Sequence, residues 1–198
     1  MMANSACSSQ ANVVLLGHSY INRLRKYVCA SETLSNFELR TVNVKFVCKG
    51  GMTLRPRLRR ERYTREIGNF VTEVGFCYPD YVILHIGEND VQCTSKEEIA
   101  LDILDFVNRL SHWCNCAVYV LELIAWPSHT RETAIDIQMI NDHLKHSLPP
   151  RHFWEHRAGL TLPEVFLPDN IHLNKKGMVK YYKSVRTLIG RSVYHHCH

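Results

Sequence analysis

The stretch Val13-Val14-Leu15-Leu16-Gly17-His18-Ser19-Tyr20 changes pattern in its middle. Four consecutive apolar residues are too few for a helix and fit a strand buried on both faces of a parallel sheet. Gly17 ends the run, and Ile21, Leu24 and Val28 then recur at helical spacing among Asn22, Arg23, Arg25 and Lys26. Ser19 therefore falls between the C-terminal end of a strand and the first turn of a helix. Open α/β sheets bind ligands at that edge, and the N–H groups of a helix N-terminus favour anions there. A serine so placed suits a nucleophile. It equally suits an N-cap, a position serine prefers on its own account.

Outward from this stretch, strands and helices alternate. Phe37, Leu39, Val42, Val44 and Phe46 predict a strand over Phe37 to Cys48, ended by Gly50-Gly51, a turn able to bring bare backbone close to a ligand. Thr53 to about Val74 reads as a helix dense in arginine. Tyr81 to Ile86 is the clearest buried strand, closed by Gly87-Glu88-Asn89-Asp90. Ser95-Lys96-Glu97-Glu98 is a capping box opening a helix through Leu110. A strand over Ala117 to Leu123, a helix through Ile135 to Leu144 and a short strand at His152-Phe153-Trp154 follow. A loop then carries Asp169-Asn170-Ile171-His172, and a last helix runs from Lys175 to about Ile189. Five such alternations predict an α/β fold with a five-stranded parallel sheet covered on both faces and right-handed crossovers. One domain is expected over 12–190, with a disordered lead-in over 1–11 and a frayed tail over 191–198.

Composition narrows the function classes. At 198 residues, 45% hydrophobic and 22% charged, the chain is an ordinary globular domain with room for one substantial core. No apolar run approaches the roughly eighteen residues of a membrane span. The net charge of +5 permits an anionic partner without requiring one. Met1 to Gln10 lacks the basic and apolar regions of a secretory signal, and the eight cysteines are scattered through strand and helix patterns. Free thiols and an intracellular, cytoplasmic location are the expectation. Cys114-Asn115-Cys116 is not zinc-site spacing, so neither a metal nor a cofactor is expected.

In a parallel sheet all strand C-termini share one edge, so topology gathers Ser19, Gly51, Asn89 and His172 on one rim. Their types suit acyl transfer. A serine hydroxyl needs a base to take its proton, and imidazole serves near neutral pH. Asp169, three residues before His172, can fix the imidazole tautomer. Backbone N–H groups of Ser19 and Gly51 and the Asn89 amide are candidate oxyanion donors, each typically worth about 3 kcal/mol to the transition state. The bland alternatives are a helix cap for Ser19, a turn residue for Asn89 and a capping pair for Asp169 and His172.

Four blocks in this order resemble the SGNH (GDSL-like) hydrolases. They are Gly17-His18-Ser19, Gly51-Met52-Thr53, the G-x-N-D of Gly87-Glu88-Asn89-Asp90 and the D-x-x-H of Asp169 to His172. The resemblance spans about Val13 to Ile189. It implies a flavodoxin-like α/β/α sandwich and a serine esterase working through an acyl-enzyme on small acyl, acetyl or lipid-like esters. By the match Ser19 is the nucleophile, His172 the base, Asp169 its orienting acid, and Ser19, Gly51 and Asn89 the oxyanion hole. One departure stands out: the family has Gly-Asp-Ser at block one, and this chain has Gly-His-Ser. His18 thus becomes a residue that tunes the site, binds substrate or weakens catalysis.

The arginines support a second function from another class. Arg55, Arg57, Arg59, Arg60, Arg62 and Arg65 crowd one segment, relieved only by Glu61 and Glu66. A solvated helix face explains them. Alternatively, a catalytically weak module of the same fold holds nucleic acid or anionic lipid through Arg55, Arg59 and Arg62. No aromatic stacking platform accompanies them, so base readout has no support. Sequence patterning leaves the oligomeric state open.

Overall fold

The structure is a computed structural model that describes residues 10–55, 69–156 and 159–194. Five strands form one parallel sheet: β1 (Ala11–Gly17), β2 (Val42–Cys48), β3 (Tyr81–His85), β4 (Ala117–Leu121) and β5 (Phe153–Trp154). Their spatial order is β2-β1-β3-β4-β5. Gly17 is level with Cys48 on one side and His85 on the other, so these three strands end together.

Alternation along each strand splits the core in two. Val14 and Leu16 of β1, with Val82 and Leu84 of β3, face the helices α3 (Lys96–Cys114) and α4 (Arg131–Ser147). Val13 and Leu15, with Tyr81 and Ile83, face α1 (Ser19–Cys29) and α5 (Lys175–Tyr194). A further helix, α2, is described over 69–75. Both faces are covered, giving the three-layer sandwich that the unbroken apolar runs require. Local signals set the helix starts. Ser95 Oγ accepts from Glu98 N at 3.3 Å to open α3, and Thr130 Oγ1 accepts from Thr133 N at 3.2 Å to open α4.

The sequence reading needs correction at β2. The strand begins at Val42, and Phe37 belongs to a 3₁₀ segment, Glu32–Glu38. Asn36, Phe37 and Glu38 have φ of 47°, 55° and 58°, which no strand can use. Phe37 is nonetheless fully buried, stacked on Tyr182 with ring centroids 5.1 Å apart. Apolar spacing registered its burial and misread its backbone. Two ends also differ: β4 stops at Leu121, and α5 runs to Tyr194, so residues 191–194 of the expected tail are helical. Ala11 of the expected lead-in is paired in β1.

Among the described residues no helix is long and apolar enough to cross a membrane. Cys29, Cys48, Cys77, Cys93, Cys114 and Cys116 are free thiols, and Cys7 and Cys197 lie outside the described residues.

Candidate active site

Strand order reverses at β1: the chain first steps to β2 on one side and then crosses to β3 on the other. A crevice opens at the C-terminal ends where such a reversal occurs. Ser19 follows β1 and Asn89 follows β3, so both sit at that switch point. Gly17 makes the approach possible, because a Cβ there would collide with the His85 carbonyl and stand 2.9 Å from Ile21 Cγ1. Gly87, at φ 130°, closes β3 where a Cβ would meet Leu123 at 2.9 Å.

Ser19 is half-buried and is the first residue of α1; the cap position belongs to His18. His18 Nδ1 accepts from Tyr20 N at 3.5 Å and lies 3.4 Å from Ser19 Oγ. The capping role that serine could have played is therefore filled by its neighbour. Among the hydrogen bonds of the described residues, none joins Ser19 to His172.

Asp169 and His172 form a close pair. His172 Nδ1 is 2.7 Å from Asp169 Oδ2, while Asp169 Oδ1 accepts from the backbone N–H groups of Ile171 and His172 at 2.9 Å each. The His172 backbone N–H is the main cause that holds the Asp169 carboxyl down to about 2, helped by the imidazole. The pair does not cap the last helix; Asn174 Oδ1 does so, accepting from Gly177 N at 3.0 Å. Tyr20 Oη donates to Ile171 O at 2.9 Å, tying the residue after Ser19 to the residue before His172.

Asn89 Nδ2 donates to Met52 O at 2.9 Å, which joins the third block to the second. Gly51 stands beside it in an exposed turn with φ 70°. Asp90 secures the same loop: its carboxylate accepts from Leu54 N at 2.9 and 3.0 Å and from Arg55 N at 3.2 Å. Burial pushes Asp90 up to about 6, against the pull of those N–H groups.

Sequence reasoning missed Glu88. It is fully buried with His18 and His85, and each carboxylate oxygen takes one imidazole. His18 Nε2 is 2.7 Å from Oε2, and His85 Nε2 is 2.6 Å from Oε1, which also accepts from Ile124 N at 3.1 Å. His85 Nδ1 meets Tyr181 Oη. Burial opposes ionisation of Glu88, but the two imidazoles outweigh it and hold the carboxyl well below its usual range. Burial pushes His85 down toward neutrality. Two histidines in apolar settings were the available signal, since each needs a buried partner. The three donor groups lie within 4.8 Å of one another. Their contacts are hydrogen-bond distances, whereas metal bonds of about 2 Å spread neighbouring ligands to about 3 Å or more.

Arg55 is committed within the protein. Its guanidinium meets Asp102 at 2.5 and 3.0 Å and Glu98 at 2.7 Å. Arg59 and Arg62 lie outside the described residues.

No known family model matches the chain, and no curated protein matches it either. Solved structures do. The esterase EstA from Pseudoalteromonas sp., in a structure inhibited by monoethylphosphonate, superposes with a TM-score of 0.67 at 12% identity, covering 93% of this chain and 100% of that one. A carbohydrate esterase family 3 protein from Talaromyces cellulolyticus gives 0.66 at 14% identity, covering 93% and 99%. A protein from Slackia heliotrinireducens assigned to the SGNH hydrolases gives 0.59 at 12% identity, covering 91% and 100%. The fold is that of the SGNH hydrolases. Near-complete coverage in both directions means the SGNH fold accounts for the domain without a large insertion or missing layer.

Proposed function

We propose that the protein is a serine ester hydrolase of the SGNH type, acting on small acyl or acetyl esters through an acyl-enzyme. The observation that carries this reading is the bond from Tyr20 Oη to Ile171 O, which links the Ser19 turn to the Asp169–His172 pair at the switch-point rim. In this reading Ser19 attacks the ester carbonyl, and His172, oriented by Asp169, is the general acid–base that serves the leaving alcohol and the incoming water. The Ser19 and Gly51 N–H groups and the Asn89 amide, oriented by Met52 O, stabilise the oxyanion. The same fold in enzymes named esterases, one of them inhibited by a phosphonate, supports ester chemistry at this rim.

The test is turnover of a nitrophenyl ester chain-length series, with fluorophosphonate labelling mapped by mass spectrometry. Wild-type protein is expected to turn over the short esters and carry the label on Ser19; Ser19→Ala abolishes both. Label found elsewhere, or turnover surviving in Ser19→Ala, overturns the assignment. Asp169→Asn should lower kcat by about 10²–10⁴-fold, because the carboxylate no longer holds the His172 tautomer. Of the arginines named for the alternative anion-binding reading, Arg55 is the one described, and its guanidinium is paired with Glu98 and Asp102.

A further inference from the structure

Strand β5 ends the sheet, and between it and the C-terminal part of α5 lies a cavity of about 610 Å³ that ester hydrolysis at Ser19 does not use. α5 begins just after His172 and carries Arg191 in its last turn, about 24 Å further along the helix. The cavity is therefore remote from the Ser19 rim. We propose that it is a binding site for a carboxylate with an apolar body, whose head is taken by Arg191 and the Tyr119 hydroxyl. The proposal does not rest on the esterase reading.

Tyr119 supplies the polar anchor. It lines the cavity at 7% exposure, and its hydroxyl has no hydrogen-bond partner among the described residues. Burial pushes its pKa up, so at neutral pH it is a protonated O–H donor. Its ring is held in place. His152 stacks on it with centroids 4.8 Å apart, and Tyr81 packs against it at 6.4 Å. His152 is fixed in turn, because its Nδ1–H donates to Val118 O at 2.8 Å. A buried O–H without an acceptor is costly, and a ligand oxygen removes that cost.

Arginine supplies the charge. The Arg191 guanidinium lies over the Trp154 ring, 5.4 Å from its centroid, and Trp154 Nε1–H is pinned by donating to Ser184 Oγ at 3.0 Å. A guanidinium resting on a ring face keeps its in-plane N–H groups for a carboxylate. Arg151 lines the same cavity from the turn before β5. Among the described residues neither arginine forms an ion pair, whereas Arg55, Arg109 and Arg186 each meet a carboxylate. Leu188 and Phe153 give the cavity its apolar wall. Glu155 also lines it, tied to Lys145 at 2.9 Å. That negative charge disfavours a phosphate dianion more than a carboxylate, which sets the head group. The volume lies within the range of about 300–1,000 Å³ usual for small-ligand sites.

Octanoate, 2-naphthoate, octanol and octyl phosphate are titrated separately into the full chain, below micelle formation. ¹⁵N spectra follow the Trp154 indole, the Arg191 Nε–H and the His172 imidazole. At least one carboxylate is expected to move the Trp154 and Arg191 resonances saturably and to bind more tightly than octyl phosphate, while octanol leaves them unmoved. Tyr119→Phe keeps the ring stack and removes only the O–H. That variant and Arg191→Gln should each weaken carboxylate binding about tenfold or more. With no partner to lose, Tyr119→Phe should unfold at the wild-type temperature or above it. Carboxylates that move only His172, or nothing, overturn the proposal. So do octanol binding as well as octanoate, octyl phosphate binding more tightly than either carboxylate, and variants that bind like wild type. A lower unfolding temperature for Tyr119→Phe overturns it too, since the hydroxyl then has a partner within the protein.

Discussion

Asp90 shows how a residue inside a motif block can serve architecture. It closes the G-x-N-D block, yet its carboxylate is buried and spent on Leu54 N and Arg55 N, so its work is to hold the loop that carries Gly51. Its titration has a defined sign. The folded carboxyl binds its proton near 6 and the unfolded one near 3.8, so between those values the folded state holds more protons and stability falls as pH rises. Asp90→Asn keeps the Oδ1 acceptor for both N–H groups and removes the titration. Thermal unfolding between pH 4 and 6 should therefore lose a contribution that favours the acid side, and the variant should destabilise more steeply on acidification than wild type. Glu88 is the opposite case: one letter in the x position of a motif, without a periodic signal, and the residue on which two buried histidines depend.

At the scale of elements, the β1–α1 unit was legible because its constraints are local. An apolar run, a glycine and a helical stripe follow one another without overlap, and the structure places Ala11–Gly17 and Ser19–Cys29 accordingly. The glycine has a reason that sequence could only suggest: the His85 carbonyl of β3 occupies the space a Cβ would need. Gly17→Ala should cost about 1–3 kcal/mol or more in chemical denaturation, because the His85 backbone and the Ile21 side chain must both shift. The α3 cap gives a milder expectation. Ser95→Ala removes the acceptor for Glu98 N and should cost about 1 kcal/mol, read in the same assay. The segment before β2 was not legible. Three consecutive left-handed residues place Phe37 in the core, and Arg186 of α5 fixes the turn by donating to Phe37 O at 2.9 Å, a partner 149 positions away.

For the whole molecule, the buried histidine–carboxylate cluster governs acid stability. His85 is pushed below its ordinary 6.5 by burial, so below that pH the unfolded chain takes up a proton that the folded chain resists. Glu88 is held below its ordinary 4.5, so it contributes stability above that pH that is lost as pH falls through its folded value. Both signs agree. The midpoint of thermal unfolding should fall on acidification below about pH 6.5 and more steeply below 4.5, with Asp90 opposing part of the loss between 6 and 4. A calorimetric pH series checks the slope, and Asp90→Asn separates the opposing contribution.

Sequence by itself determined the layer architecture and the rim. Apolar runs of strand length, helical stripes between them and the parallel connection they force leave one arrangement in which Ser19, Gly51, Asn89 and His172 share an edge. Those are consequences of local periodicity and chain topology. Only the tertiary structure decided what the polar residues do within that frame. It gave the α1 cap to His18 and left Ser19 facing an imidazole, committed Arg55 to two carboxylates, and set Glu88 between histidines 70 and 3 positions away. Hydrogen bonds of that kind depend on distance and burial across the core, and a buried charge takes whichever partner packing brings within about 3 Å.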